Sequence, residues 1–363
     1  MELRKKIAQS ICVEVRMPDL DSEEKINSLK ANLKENQWGS IIIFDGEVES
    51  SSKLIQELQE LVDIPLFVCS DLERGAGQHF KGATDIPSNM AIGATNNLDL
   101  AYKAGKITAQ EAKDIGVNVI FSPSVDINSN PDNPIINIRS FGESPQRVAD
   151  FGQAFMSGVM AENVLATLKH FPGHGDTSED SHIKTPVIKK SKSELIKTEL
   201  FPFKQILRDA DAVMTAHIIV PSLDRSKVPA TISKEIINGL LRESYGFDGL
   251  IFTDALMMGG IVGDKPFELM AYLAGCDILL MPRDPVKTVN DLMQAFDNGD
   301  LSEERIDQTF ERISKFKKKY ADNSYKRNLK RVNAEKNTNL SKLIAEDSIT
   351  KVKAKTKLPL DSS

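Results

Sequence analysis

Eight short runs rich in Val, Ile and Phe recur along the chain with amphipathic stretches between them, and this alternation limits the fold more than any other feature. The runs are ICVEVR (11–16), SIIIFD (40–45), PLFVCSD (65–71), VNVIFSPSVD (117–126), VLATLKHF (164–171), AVMTAHI (212–218), GLIFTDA (249–255) and DILLMPRD (277–284). Most are near-continuously apolar rather than alternating, the pattern of parallel strands buried on both faces. Helical spacing is expected over 22–34, 51–61, 99–114, 144–160, 191–208, 233–242 and 285–296. Strand–helix alternation of this kind predicts an α/β protein, a (β/α)8 TIM-type barrel over residues 1–320. The competing arrangement is a doubly wound open sheet. The Gly-rich stretch Gly75–Gly77 is not a GxGxxG, so no dinucleotide site supports that alternative.

Beyond residue 320 the composition changes. Residues 321–339 are polar and rich in Lys, Asn and Ser, which reads as a linker or a surface-wrapped segment, and helical spacing returns over 340–353. The expected division is therefore a barrel over 1–320 and, over 321–363, a linker leading towards an absent second domain.

Bulk chemistry excludes several classes. The net charge is −6, so there is no electrostatic footprint for nucleic acid. Three widely spaced cysteines, Cys12, Cys69 and Cys276, sit in or beside apolar runs without a CxxC, which argues for reduced, buried thiols. The basic N-terminus develops no signal-peptide core, since Glu14 and Arg16 interrupt it. No stretch approaches the roughly 18 apolar residues that span a membrane. The chain is expected to be cytoplasmic, or exported if an export signal has been trimmed, with no membrane insertion.

Polar residues gather where the strands end. Asp71, Asp126, Lys169–His170, His217, Asp254 and Arg283–Asp284 stand at or just past the C-terminal ends of the expected strands, the face on which barrel enzymes carry their chemistry. The densest group is KHFPGHGDTSEDSH (169–182), which holds three of the five histidines in the chain. Pro172, Gly173 and Gly175 keep this segment from being a continuous helix or strand, so it reads as a functional loop.

Asp254, at the mouth of an apolar strand, is expected to be hydrogen-bonded or functional, with helix capping as the bland alternative. Asp180 and His182 are two residues apart, close enough for the carboxylate to fix the imidazole tautomer and leave the other nitrogen to move a proton. A nucleophilic Asp with a separate acid/base suits two-step displacement at an anomeric carbon. Metal binding by His170, His174, Asp176, Asp180 and His182 competes with this, although Pro172 and Gly173 forbid the helix from which HxxxH ligands usually work. A plain solvated polar loop is the third possibility.

These residues resemble glycoside hydrolase family 3, in its β-N-acetylhexosaminidase branch. The resemblance runs over nearly the whole chain, through SDLERGAGQ, NPDNPIINIRSFGES, KHFPGHGDTSEDSH, AHIIVPSLD and FTDALMMGG, each after its expected strand. It implies that Asp254 is the nucleophile, His182 the acid/base and Asp180 its orienting partner. Asp71, Arg139, Lys169 and His170 would hold sugar hydroxyls in the −1 subsite, and neither metal nor cofactor is implied. Many members read DxEGGRVxR where this chain has DLERGAGQH; His79 stands where an arginine often sits, and Arg74 is the substitute at hand. AEDSITKVKAKTKLPL resembles the segment that opens the second, α/β domain of longer members.

The expected activity is that of a retaining exo-β-N-acetylglucosaminidase acting on cell-wall or chitin-derived saccharides. Because a neutral histidine does not repel phosphate as a carboxylate does, a phosphorylase releasing sugar 1-phosphate is the second expectation. An inactive sugar-binding barrel and a metal-dependent hydrolase are the others.

Overall fold

The computed structural model describes residues 1–177, 185–257, 266–321 and 325–350. Each of the eight expected runs contains a strand. In chain order these are β1 (Ile11–Arg16), β2 (Ser40–Phe44), β3 (Phe67–Ser70), β4 (Val119–Ile120), β5 (Leu165–Ala166), β6 (Leu168–Phe171), β7 (Ala212–Thr215), β8 (Leu250–Phe252) and β9 (Leu279–Leu280). A further short parallel pair joins Gly46–Glu47 to Phe80–Lys81.

All pairings among β1–β9 are parallel. They form a six-stranded sheet, β9-β1-β2-β3-β4-β5, and a three-stranded sheet, β8-β7-β6. The first strand lies beside the last, with Cys12 opposite Leu280. Single bridges, Ser124 with Lys169 and Phe252 with Ile278, run between the two sheets' elements. The fold is thus α/β on parallel strands, in two arcs rather than one regular eight-strand ladder. One break falls in the fifth run, where Thr167 separates β5 from β6 and the register against β7 shifts between Leu168 and Phe171; the other falls between β8 and β9, where Phe252–Ile278 is a single bridge.

The strands sort their side chains with period two. Ile42 and Phe44 of β2 join an inner cluster with Cys12, Phe67, Cys69, Met214, Phe252 and Leu280, whereas Ile41 and Ile43 join the cluster shared with the helices. Burying both sets explains why the runs read as continuously apolar. Helix Glu303–Tyr320 adds Ile313, Phe316 and Tyr320 to the inner cluster.

Six expected helices appear within a few residues of their predicted bounds. The seventh, over 191–208, divides into Lys192–Lys197 and Leu200–Ile206 because Thr198 leaves helical geometry (φ −122°, ψ −102°). Beyond residue 324 the chain lies against helix Leu98–Ile115: Tyr325, Asn328 and Arg331 all bond to Asp114, and Asn333 and Asn337 bond to Glu111. Helix Glu335–Asp347 follows. Among the described residues no helix is long and apolar enough to cross a membrane. All three cysteines are free and buried.

Candidate active site

The C-terminal ends of the strands converge on a cavity of about 980 Å³ whose lining includes Asp71, Glu73, Arg139, Lys169, His170 and Asp254. Five of the seven residues expected from sequence, Asp71, Arg139, Lys169, His170 and Asp254, are therefore together. Asp180 and His182 lie within 178–184, outside the described residues.

Lys169, 2% exposed, is delivered by β6. Its Nζ donates to Asp71 Oδ1 (2.6 Å) and lies 2.7 Å from Glu73 Oε1. Arg139 reaches the same Glu73 through Nη2–Oε1 (2.7 Å) and Nε–Oε2 (2.9 Å). Burial alone would raise the Glu73 carboxyl, but Arg139 and Lys169 hold it well below the usual carboxylate range. Both cations are raised in turn: burial disfavours their charge, and Glu73 and Asp71 outweigh it. Sequence reasoning assigned Glu73 no role; its position in SDLERGAGQ, two residues past Asp71 and so on the same strand end, was the available signal.

Asp126 was noticed only as a strand end, and it is a hub. Its carboxylate accepts the His170 Nδ1 contact (2.6 Å), the His170 amide (3.1 Å), the His174 amide (2.6 Å) and the Ser124 hydroxyl (3.0 Å). Burial opposes its ionisation, yet His170 and the His174 amide bring its pKa down to about 2. His174, buried with its Nδ1 3.0 Å from Thr177 Oγ1, is pushed down to about 4, by burial first and by His170 second. Its Nε2 has no hydrogen-bond partner among the described residues.

Asp254 follows β8 and lines the cavity, partly exposed. One oxygen accepts the Ala255 amide (2.8 Å). The surrounding protein disfavours its charge, but His170, His217, that amide and Lys169 together hold its pKa below the ordinary value. His217 Nε2 lies 3.2 Å from the Ala255 carbonyl and its Nδ1 2.8 Å from Thr231 Oγ1, which steadies the backbone after Asp254.

The loop between His170 and Thr177 is clamped to the loop after β4. Asn133 Nδ2 donates to the carbonyls of His174 (2.9 Å) and Gly175 (3.1 Å), while its Oδ1 accepts the amides of Ile135 and Ile136. Gly175 passes so close to Ile127 that a Cβ there would sit 1.6 Å from the Ile127 carbonyl oxygen. His79, in place of the arginine common in the resembling family, pairs with Asp45 (2.8 Å) and meets the Phe44 ring edge-on. Arg74 also lines the cavity. No group of three or more His, Cys, Asp or Glu among the described residues could hold a metal ion.

Asp71, Glu73, Asp126 and Asp254 thus surround two fixed cations, Lys169 and Arg139. Such a site can hold hydroxyl-rich ligands through charge-assisted bonds and favours positive charge developing beside Asp254.

The model of the glycosyl hydrolase family 3 N-terminal domain matches residues 2–316. "Beta-hexosaminidase A" of Pseudoalteromonas piscicida is 35% identical over 354 residues, covering 86% of this chain and 59% of that protein. "Beta-hexosaminidase" of Tolumonas auensis is 33% identical, covering 74% of this chain and 81% of that one. A solved β-N-acetylglucosaminidase from Paenibacillus sp. matches with a TM-score of 0.91 at 34% identity, over 99% of this chain and 71% of its own. A β-glucoside phosphorylase structure matches with a TM-score of 0.90 at 29% identity, over 99% and 67%. The chain spans only 59% and 51% of the Pseudoalteromonas protein and of a Cellulomonas fimi relative.

Proposed function

This chain belongs to glycosyl hydrolase family 3, and from that membership we propose that it is a retaining exo-β-N-acetylglucosaminidase, releasing terminal β-linked N-acetylglucosamine from cell-wall or chitin-derived saccharides. The observation that carries the reading is the ionised Asp254 carboxylate on a cavity shared with Asp71, Arg139, Lys169 and His170. Relatives named beta-hexosaminidase support the class of sugar, as does the KHFPGHGDTSEDSH loop.

In this mechanism an Asp254 oxygen attacks the anomeric carbon while His182 gives its proton to the departing glycosidic oxygen. The C–O bond breaks, leaving a glycosyl ester on Asp254. Water then attacks the same carbon, His182 takes its proton, and free carboxylate and sugar with retained configuration result. Asp180 orients His182 and stabilises it when charged. Positive charge builds on the sugar in both transition states, and the carboxylate-rich cluster favours it. Lys169, Arg139 and Asp71 hold the ring hydroxyls, and His170 lines the same subsite and fixes Arg139 there. The two parallel arcs read as one (β/α)8 barrel over 1–320, since β1 pairs with β9 and single bridges connect the arcs.

The test is release from an aryl β-N-acetylglucosaminide and the matching β-glucoside, each with and without phosphate. Release from the N-acetyl substrate without phosphate, lost in Asp254→Asn, supports the reading. Sugar 1-phosphate formed only with phosphate replaces it with a phosphorylase, the activity named for one structural neighbour. No release from either substrate sinks both.

A further inference from the structure

Two groups flank the His170 ring, and their donor and acceptor chemistry leaves one arrangement. Arg139 Nη2 lies 3.1 Å from His170 Nε2. A guanidinium has donors and no acceptor, so Nε2 must accept. On the other side Nδ1 lies 2.6 Å from Asp126 Oδ2, an ionised carboxylate that can only accept. The ring proton therefore sits on Nδ1, and His170 stabilises Asp126 through that donor. The same carboxylate binds the amides of His170 and His174, the two ends of the turn containing Pro172 and Gly173: both reach Oδ1, at 3.2 and 2.6 Å, and the His170 amide also lies 3.1 Å from Oδ2. Asp126 is fully buried, touches no open part of the cavity and holds both the ring and the turn.

We propose that Asp126 is the positioning residue of this site: it fixes the Nδ1–H tautomer of His170 and thereby lets Arg139 and His170 act as one fixed unit facing the bound sugar. The proposal rests on the glycosidase reading only for its kinetic consequence. Asp126→Asn makes the argument sharp. To bond both backbone amides the new side chain must keep its oxygen where they converge, which turns its NH₂ towards His170 Nδ1. That forces the ring proton onto Nε2, where it opposes the Arg139 N–H, donor against donor. A wrong tautomer of this kind costs activity without removing any group that touches substrate.

The experiment is ¹⁵N NMR of the imidazole nitrogens in the full chain, with a His170→Gln spectrum to assign the signals, followed by kinetics of Asp126→Asn on the aryl N-acetylglucosaminide. The expected result is a wild-type His170 protonated at Nδ1 alone, and an Asp126→Asn ring protonated at Nε2. The variant's kcat/KM should fall about a hundredfold or more. A wild-type His170 carrying its proton on Nε2 overturns the proposal even if the variant fails to fold. A folded variant with unchanged tautomer, or with wild-type kcat/KM, also overturns it. If the wild-type protein cleaves no glycoside, the proposed function fails while the spectrum still judges Asp126.

Discussion

Glu73 grips Arg139 at two points, Nη2 to Oε1 at 2.7 Å and Nε to Oε2 at 2.9 Å, and offers the same Oε1 to Lys169 at 2.7 Å. One buried carboxylate thereby pairs with two cations brought from other strand ends, and Asp71 is the second partner of Lys169. Its energetic role is not the strength of either pair but the cost of leaving Arg139 without a counter-ion, since Lys169 keeps Asp71. Breaking a buried pair from one side typically costs about 3–5 kcal/mol, because the surviving charge keeps its desolvation penalty. Glu73→Gln is therefore expected to destabilise the protein by about that much and to weaken sugar binding as Arg139 and Lys169 shift. Chemical denaturation of the two proteins decides it: a midpoint unchanged at equal slope would mean that the cations find other partners.

The same arrangement shows what sequence could and could not reveal. The strands were legible because both faces of Ser40–Phe44 or Phe67–Ser70 are buried, which leaves an unbroken apolar run. Helix Glu303–Tyr320 was not, because its buried Ile306, Ile313, Phe316 and Tyr320 are sparse among Lys and Glu. The division of the 191–208 helix was equally hidden: Glu199 is buried there, where it accepts from Ser129 and Lys190. Asp71, Lys169, His170, Arg139 and Asp254 were found from strand ends and from motif. Glu73 and Asp126 act through partners 66 and 44 positions away, so only the fold discloses what they do.

Gly175 is required by space rather than by backbone angle. Its α-carbon faces Ile127, whose carbonyl oxygen would lie 1.6 Å from an added methyl group and whose carbonyl carbon would lie 2.7 Å away. Backbone cannot yield as a side-chain tip can. Gly175→Ala should push the loop away from Asn133, breaking the bonds that clamp His174 and Gly175. A loss of about 1–3 kcal/mol is expected, in the range of other overpacked sites. A drop in kcat is expected with it, since the loop leads towards Asp180 and His182. Thermal unfolding and steady-state kinetics read both; wild-type values in each would remove the clamp from the account.

Asp254 carries the covalent step in the proposed mechanism, and this has a consequence that loss of activity alone does not test. Asp254→Gly removes the carboxylate and leaves room on that side of the sugar. Turnover should fall by about a thousandfold or more, as for other lost nucleophiles. Added azide should then restore release of the aryl group and yield an α-glycosyl azide, because a small anion attacks from the face Asp254 occupied. Product of β configuration would place the nucleophile elsewhere.

His174 links stability to pH. Its pKa is pushed down to about 4 by burial and by neighbouring His170, whereas an unfolded histidine titrates near 6.5. Between these values the unfolded chain binds a proton that the folded one refuses, so acidification favours unfolding. The contribution is fully present above about pH 6.5 and is lost as pH falls to about 4, at roughly 1.4 kcal/mol per unit and about 3 kcal/mol in all. Asp126 acts in a lower window, because its folded pKa of about 2 keeps its contribution intact until the unfolded value near 4 is passed. His174→Leu removes the first effect and leaves the second. The variant gives up the Nδ1 contact with Thr177, whose hydroxyl keeps Asn133 and the backbone carbonyl of residue 174, and an Nε2 unpartnered among the described residues, so its own cost at neutral pH should be about 1 kcal/mol. Denaturation midpoints taken from pH 7 to pH 4 should fall steeply for the wild type and stay nearly flat for His174→Leu. Parallel curves would show that His174 is already charged in the folded protein at neutral pH, or that other groups govern its acid sensitivity.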